Sequence, residues 1–221
     1  MTVFDGALTV RTKPQPDRDF GFEATFILDH PSLQKFRSAP PRHLHPHQEE
    51  YIRVLEGALV LEVEGREYVV RPENGEFTVA PWVIHRLYPL PPEENEGSLG
   101  TAAAKSNVVS FLGSGEKAHE AFKIDILFFE NWYRYQYETV RRGQKINLIQ
   151  AMCTFDAGGC YLTLPPYFPF RRTLSQAVGV VVGRWLGALL GYRPFRGEWS
   201  SDWPLAKAKM QQSMAYRWGQ K

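Results

Sequence analysis

The sequence predicts a mainly β protein, a single antiparallel barrel or sandwich with a helical extension at its C-terminus. Up to about residue 113, short segments rich in β-branched and aromatic residues follow one another, separated by tight-turn dipeptides. After residue 115, apolar residues recur at helical spacing instead. With 221 residues, the chain is long enough to bury a sizeable core. We therefore predict a β-barrel domain at residues 1–113 and a helical extension at residues 114–221, packed on the barrel or on a partner.

The predicted strands are short and evenly spaced, which is typical of a barrel or sandwich and not of a parallel sheet with crossover helices. They are Leu8–Arg11, Glu23–Leu28, Tyr51–Leu55, Ala58–Val63, Glu67–Val70, Phe77–Ala80 and Asn107–Leu112. Residues 89–106 are polar and contain several prolines and glycines, so we predict a surface loop there.

Three helical segments are predicted in the extension. Residues 118–140 carry apolar and aromatic side chains on one helical face, and residues 147–155 form a shorter helix that a glycine pair ends. The third segment, residues 174–191, contains one charged residue, Arg184, and a glycine at every fourth position from Gly179. Glycine at this spacing lets another backbone approach closely. We favour buried packing of this segment, with peripheral membrane contact as the alternative.

The net charge, the cysteines and the N-terminal residues indicate which kinds of partner and which cellular compartment to expect. A net charge of +2 is too small for a nucleic-acid-binding protein, so we expect no nucleic-acid partner. The two cysteines cannot form a disulfide framework, which favours a reducing compartment. The N-terminal residues lack the pattern of a signal peptide. We expect a cytoplasmic protein, with membrane association through residues 174–191 as the alternative.

The histidines suggest a metal site. His43 and His45 face the same side of an extended strand, because side chains alternate with a period of two. Glu50 and His85 lie on or beside neighbouring strands and can approach that side. Three imidazoles and a carboxylate suit Fe, Mn, Ni, Cu or Zn, with positions left for a substrate or O₂. His47 is expected to face solvent, since a proline interrupts the alternation. The alternatives are a metal-free pocket or a structural role for His43, His45 and Glu50, and for His85 a role as general acid or base at the pocket mouth.

This region resembles the cupin superfamily, whose first motif is His-x-His, three or four residues, Glu, six residues and Gly. His43, His45, Glu50 and Gly57 match that motif completely. The second motif, Gly, five residues and Pro-x-Gly-x-x-His, is matched less well. Gly75, Pro81 and His85 are present, but the inner glycine and one residue are missing. The C-terminal part is similar to an extension of small fungal cupin proteins tied to secondary-metabolite clusters.

The resemblance implies a jelly-roll barrel, a homodimer and an enzyme that acts on an apolar small molecule. It also implies a divalent metal held by His43, His45, Glu50 and His85. We favour oxygenase chemistry narrowly. The first alternative is a redox-neutral isomerase, dehydratase or cyclase that uses the metal as a Lewis acid, or His85 and Glu50 without metal as the catalytic acid and base. The others are a non-catalytic ligand-binding cupin and an accessory subunit that docks on a membrane through its C-terminal helix.

Overall fold

The computed structural model describes residues 1–34, 39–91 and 107–218. The strands pair antiparallel and the long helices follow them, which confirms the predicted fold class. The chain forms two compact units. Unit 1 comprises Met1–Pro40 and Glu49–Glu116, and unit 2 comprises Pro41–Gln48 and Lys117–Lys221. Most of the predicted loop at residues 89–106 lies outside the described residues.

Eleven strands occur in the described part of the chain. They are β1 (Thr2–Val3), β2 (Leu8–Thr12), β3 (Arg18–Ile27), β4 (His43–Leu44), β5 (Glu50–Glu56), β6 (Leu59–Val63), β7 (Arg66–Val70), β8 (Glu76–Val79), β9 (His85–Pro89), β10 (Val108–Glu116) and β11 (Tyr161–Leu162). In unit 1, one sheet has the order β1-β2-β3-β10-β5-β8, and β9, β6 and β7 pair in that order in the second sheet. In unit 2, β4 pairs with β11.

The core of unit 1 follows the two-residue alternation of its strands. Phe22 and Ala24 on β3 are buried, as is Phe111 on β10, which pairs with Ala24. Gly113 pairs with Phe22, and a Cβ atom at Gly113 would lie 2.6 Å from that ring. Glycine therefore makes room for a large aromatic side chain opposite it. The residues after Gly113 remain paired with β3, so β10 continues to Glu116, beyond the end that its sequence predicts.

The helices of the described part of the chain include α1 (Pro31–Gln34), α2 (Ile126–Arg141), α3 (Leu148–Ala157), α4 (Arg171–Val178), a π-helical segment (Gly179–Leu186), α5 (Gly187–Leu189), α6 (Trp203–Gln211) and α7 (Met214–Trp218). Three of the helices, α2, α3 and α6, begin at polar capping residues. The prediction of a helix from residue 118 is wrong at its start. Asp125 accepts a hydrogen bond from the Phe128 amide at 3.0 Å, so α2 begins only after this cap. Asn147 caps α3 in the same way.

Unit 2 is built around α3, which is buried along most of its length. The segment that carries the regular glycines is helical throughout, as α4, the π-helical segment and α5 in succession, and we call residues 171–189 the glycine-rich helix. Its Arg184 donates two hydrogen bonds, of 2.8 and 2.9 Å, to the fully buried carboxylate of Asp156 on α3. Burial raises the pKa of this carboxyl group, and the guanidinium of Arg184 opposes the shift.

Within the described part of the chain, no helix is both long enough and apolar enough to cross a lipid bilayer.

Candidate metal centre

His43 lies on β4 and His45 directly follows that strand, and both residues belong to unit 2. Strand β4 is only two residues long, and Leu44 on it is completely buried. The rings of His43 and His45 are 5.0 Å apart and nearly perpendicular, with an interplanar angle of 78°. His45 is buried, whereas His43 is half-buried. The two side chains therefore lie together, as the His-x-His spacing predicts.

Glu50 and His85 both belong to unit 1, and each is the first residue of its strand, β5 or β9. His85 Nε2 lies 3.0 Å from Glu50 Oε2, and both side chains are buried. Trp82, which precedes His85 in the altered second motif, has a positive φ of 67°. Glycine adopts such a conformation more easily. Trp82 therefore occupies a left-handed position close to where the cupin motif has its glycine.

Each of the three imidazole rings has a partner at Nδ1. His85 Nδ1 lies 3.0 Å from the Val83 carbonyl oxygen, and His43 Nδ1 lies 3.2 Å from the Pro41 carbonyl oxygen. His45 Nδ1 lies 3.3 Å from Cys160 Sγ. Because a carbonyl oxygen only accepts, we assign the Nδ1 proton to His85 and His43. The nitrogen of these two rings that can bind an ion is then Nε2, and this is the usual arrangement of metal-ligating histidines.

The four predicted ligands come together. His43, His45, Glu50 and His85 each offer one ligand atom, and all four atoms lie within 4.8 Å of one another. Ligands at about 2.1 Å from an ion are about 3.0 Å apart at a right angle and about 4.2 Å apart across it. The separation of 3.0 Å between His85 Nε2 and Glu50 Oε2 matches the first value. The donor set therefore fits a divalent transition metal.

Two polar neighbours do not join this group. His47 is exposed, in agreement with the expected interruption of the strand by Pro46. Glu49 accepts a hydrogen bond from the Tyr51 hydroxyl and lies outside the candidate ligand group. Of the three histidines in this segment, His43 and His45 therefore belong to the candidate ligand group, and His47 faces solvent.

Cys160 is the residue of this site that sequence reasoning missed. It is buried and contacts His45, although 115 positions separate the two residues in the chain. It directly precedes β11, whose pairing with β4 places Tyr161 opposite Leu44. No local motif indicates this contact, because it depends on the pairing of two very short strands.

An aromatic group lies beside His43 in unit 2. The Phe155 ring is 6.0 Å from the His43 ring, edge to face, and packs in turn against Trp132 at 4.8 Å and Phe128 at 5.4 Å. His43 is also the least buried of the four candidate ligands. The half-buried side of the ligand group therefore borders aromatic carbon.

Comparison with known proteins agrees with this geometry. The cupin domain family matches residues 33–88, which include all four candidate ligands. The probable oxidoreductase yanE of Aspergillus niger is 40% identical over 98% of this chain and 82% of its own length. An oxidoreductase of Arthrobotrys oligospora is 38% identical over 97% of this chain and 82% of its own length. The epoxidase atD of Aspergillus terreus is 33% identical over 94% of this chain and 65% of its own length.

The first two of these similarities extend over nearly the whole of this chain, the helical region included, so they are not confined to the cupin motif. The chain therefore belongs to the cupin superfamily and, within it, to the family of these fungal proteins.

Proposed function

We propose that this protein is a metal-dependent oxygenase that acts on an apolar small molecule in secondary metabolism. The observation that carries the proposal is the ligand group itself. Three imidazoles and one carboxylate converge, and every imidazole has a partner at Nδ1. The fungal relatives named as oxidoreductases, one of them an epoxidase, support redox chemistry.

The four ligand side chains have distinct tasks in this proposal. When bound, a redox-active divalent ion at such a site supplies open positions for O₂ and substrate. Glu50 contributes the only negative charge among the candidate ligands, which offsets part of the charge of the ion. The Val83 and Pro41 carbonyl oxygens hold the Nδ1 protons of His85 and His43, which keeps both rings in one tautomer and one orientation.

The aromatic group beside His43 is the basis for an apolar substrate. Trp132 and Phe128 pack edge to face against Phe155, and Phe155 borders the half-buried ligand His43. Aromatic rings favour apolar or aromatic partners through area burial and edge-to-face contacts. We therefore place the substrate against Phe155 and the neighbouring face of His43.

A redox-neutral acid–base enzyme is the second candidate, and the His85–Glu50 pair favours it. Since His85 donates its Nδ1–H to the Val83 carbonyl oxygen, Nε2 and Glu50 Oε2 cannot both be bare acceptors at 3.0 Å. A proton or a cation must lie between them. A shared proton would allow this pair to act as acid and base in an isomerisation, dehydration or cyclisation.

The test is metal analysis of the untagged protein together with three single variants. His45→Ala removes a ligand, Glu50→Gln removes the negative charge while preserving shape, and His47→Ala is the control because His47 is exposed. We expect iron or manganese in the wild type, loss of most of it in His45→Ala, weaker binding in Glu50→Gln and no change in His47→Ala. Equal losses in His45→Ala and His47→Ala would contradict the ligand assignment.

Oxygen uptake with a panel of apolar ring compounds separates the two candidates. An oxygenase consumes O₂ only as the metal-loaded protein and only with a substrate present. Full turnover by metal-free wild type would transfer the chemistry to the acid–base pair.

A further inference from the structure

The glycine-rich helix has one face covered by protein. A Cβ atom at Gly183 would lie 2.4 Å from the Met152 carbonyl oxygen of α3, and one at Gly179 would lie 2.4 Å from the Tyr161 ring. The regular glycines therefore form the side on which α3 and β11 pack. Arg184 also points to this side, since it pairs with the buried Asp156.

Apolar side chains occupy the uncovered face of the same helix. They recur three or four residues apart and are exposed, and they are Leu174, Val178, Val181, Trp185 and Leu189. Val181 is 59% exposed and Leu189 is 83% exposed. A helix with water on one side normally places polar residues there. Here the pattern is reversed, so the face is suited to an apolar environment.

The segment that leads into this helix extends the apolar face. Tyr167 is 79% exposed and Phe170 is 85% exposed, and Phe168 between them is also exposed. Together with Trp185, these side chains form a set of uncovered aromatics within nineteen positions of the chain. Trp and Tyr are enriched where proteins meet the interface between membrane and water, and Phe is found with Trp and Leu on the apolar face of helices that lie in that interface. We call residues 167–189 the apolar strip.

The charged residues within the apolar strip are all arginines. From position 157 to position 197 the sequence contains five arginines and no aspartate or glutamate. Arg184 is paired with Asp156, and Arg196 lies 3.9 Å from Glu198. Arg172 and Arg193 are exposed, and Arg171 is half-buried. These residues lie at the two ends of the glycine-rich helix. Basic residues beside an apolar helix face attract anionic lipid headgroups.

The same charges argue against a second copy of the chain as the occupant. A two-fold symmetric interface brings the same patch of each subunit together. The arginines of one copy would then face the arginines of the other, with no acidic residue in the strip to pair with them. An anionic bilayer provides an apolar environment for the exposed side chains and negatively charged headgroups for the arginines.

We propose that the apolar strip docks this protein on the surface of an anionic phospholipid bilayer, with the helix lying in the interface. The side chains of Phe170, Val181 and Leu189 enter the boundary between headgroups and acyl chains, and the flanking arginines contact the headgroups. Docking is independent of the metal centre. It would give the protein access to apolar compounds, which partition into lipid.

The test is co-sedimentation of the full chain with vesicles of phosphatidylcholine alone or of phosphatidylcholine with phosphatidylserine. We expect the wild type to sediment with the phosphatidylserine vesicles at low salt and much less at high salt, because salt screens the arginines. Leu189→Asp should weaken binding about tenfold or more, since an exposed leucine no longer enters lipid. Arg171→Gln combined with Arg193→Gln should weaken it about thirtyfold.

Leu55→Asp is the matched control, because Leu55 is an exposed leucine of unit 1 that lies outside the strip. It should bind vesicles like the wild type. The proposal is overturned if the wild type stays in the supernatant, if Leu189→Asp binds like the wild type, or if both vesicle types bind equally. A dimer that Leu189→Asp dissociates, without vesicle binding, would assign the strip to self-association instead. None of these measurements requires metal or turnover, so they stand apart from the test of the proposed function.

Discussion

Gly183→Ala tests how closely the glycine-rich helix approaches α3. The new Cβ atom would lie 2.4 Å from the Met152 carbonyl oxygen and 2.7 Å from the carbonyl carbon. These distances are about 1 Å inside a normal contact. The obstacle is backbone, so no rotamer change relieves it. Overpacking costs about 1–3 kcal/mol, and alanine returns up to about 1 kcal/mol of helix propensity. We expect a net loss of up to about 2 kcal/mol in the free energy of unfolding, because contact with fixed backbone belongs at the upper end of that cost.

Gly187→Ala is the matched control, one helical repeat further along the same helix. Its Cβ atom would lie 3.5 Å from the Cys153 Cβ atom, which is an ordinary contact. Helix propensity then dominates, and we expect a gain of about 0.5–1 kcal/mol. Urea denaturation of both variants gives the two free energies. Equal effects at the two positions, or a rise in stability for Gly183→Ala, would refute the close approach of the helix backbones.

Two further changes test other contacts of unit 2. Cys160→Ala removes the partner of His45 Nδ1 and should weaken metal binding about 10–100-fold, measured by competition with a chelator, while His47→Ala leaves the affinity unchanged. An unaltered affinity in Cys160→Ala would mean that Cys160 does not position His45. Asp156→Asn should lower the free energy of unfolding by about 3 kcal/mol in urea, because Arg184 loses its buried partner. A loss below about 1 kcal/mol, the size of a surface pair, would contradict a structural role for this ion pair.

The order of strands and helices along the chain can be predicted from the sequence, because the periodicity of each element is visible over a few neighbouring residues. Alternation along β3 and helical spacing along α2 are visible within a few residues. The predicted start of α2 is wrong, although the capping residue that marks the true start is also a local sequence signal. Asp125 is a typical capping residue, but apolar residues before it extend the apparent helical pattern to residue 118.

The candidate ligands could be proposed from the sequence for a similar reason. His43, His45 and Glu50 lie within eight positions, so strand alternation and one bend bring them together. The role of His85 as a ligand is less evident from the sequence, because the second motif is altered around Trp82. Its placement opposite Glu50 depends on the start of β9, which the sequence did not indicate.

The sequence by itself determined the mainly β fold, the helical region and the residue types available to bind a metal. Only the tertiary structure decided which side chains orient those ligands and which face of the glycine-rich helix is covered. Cys160 meets His45 through the pairing of β4 with β11, and Gly183 meets Met152 through the packing of two helices. Such contacts join residues far apart in the chain, and local periodicity contains no information about them. The apolar strip follows from the same packing, since a helix with apolar residues all round shows its solvent face only after its partner is in place.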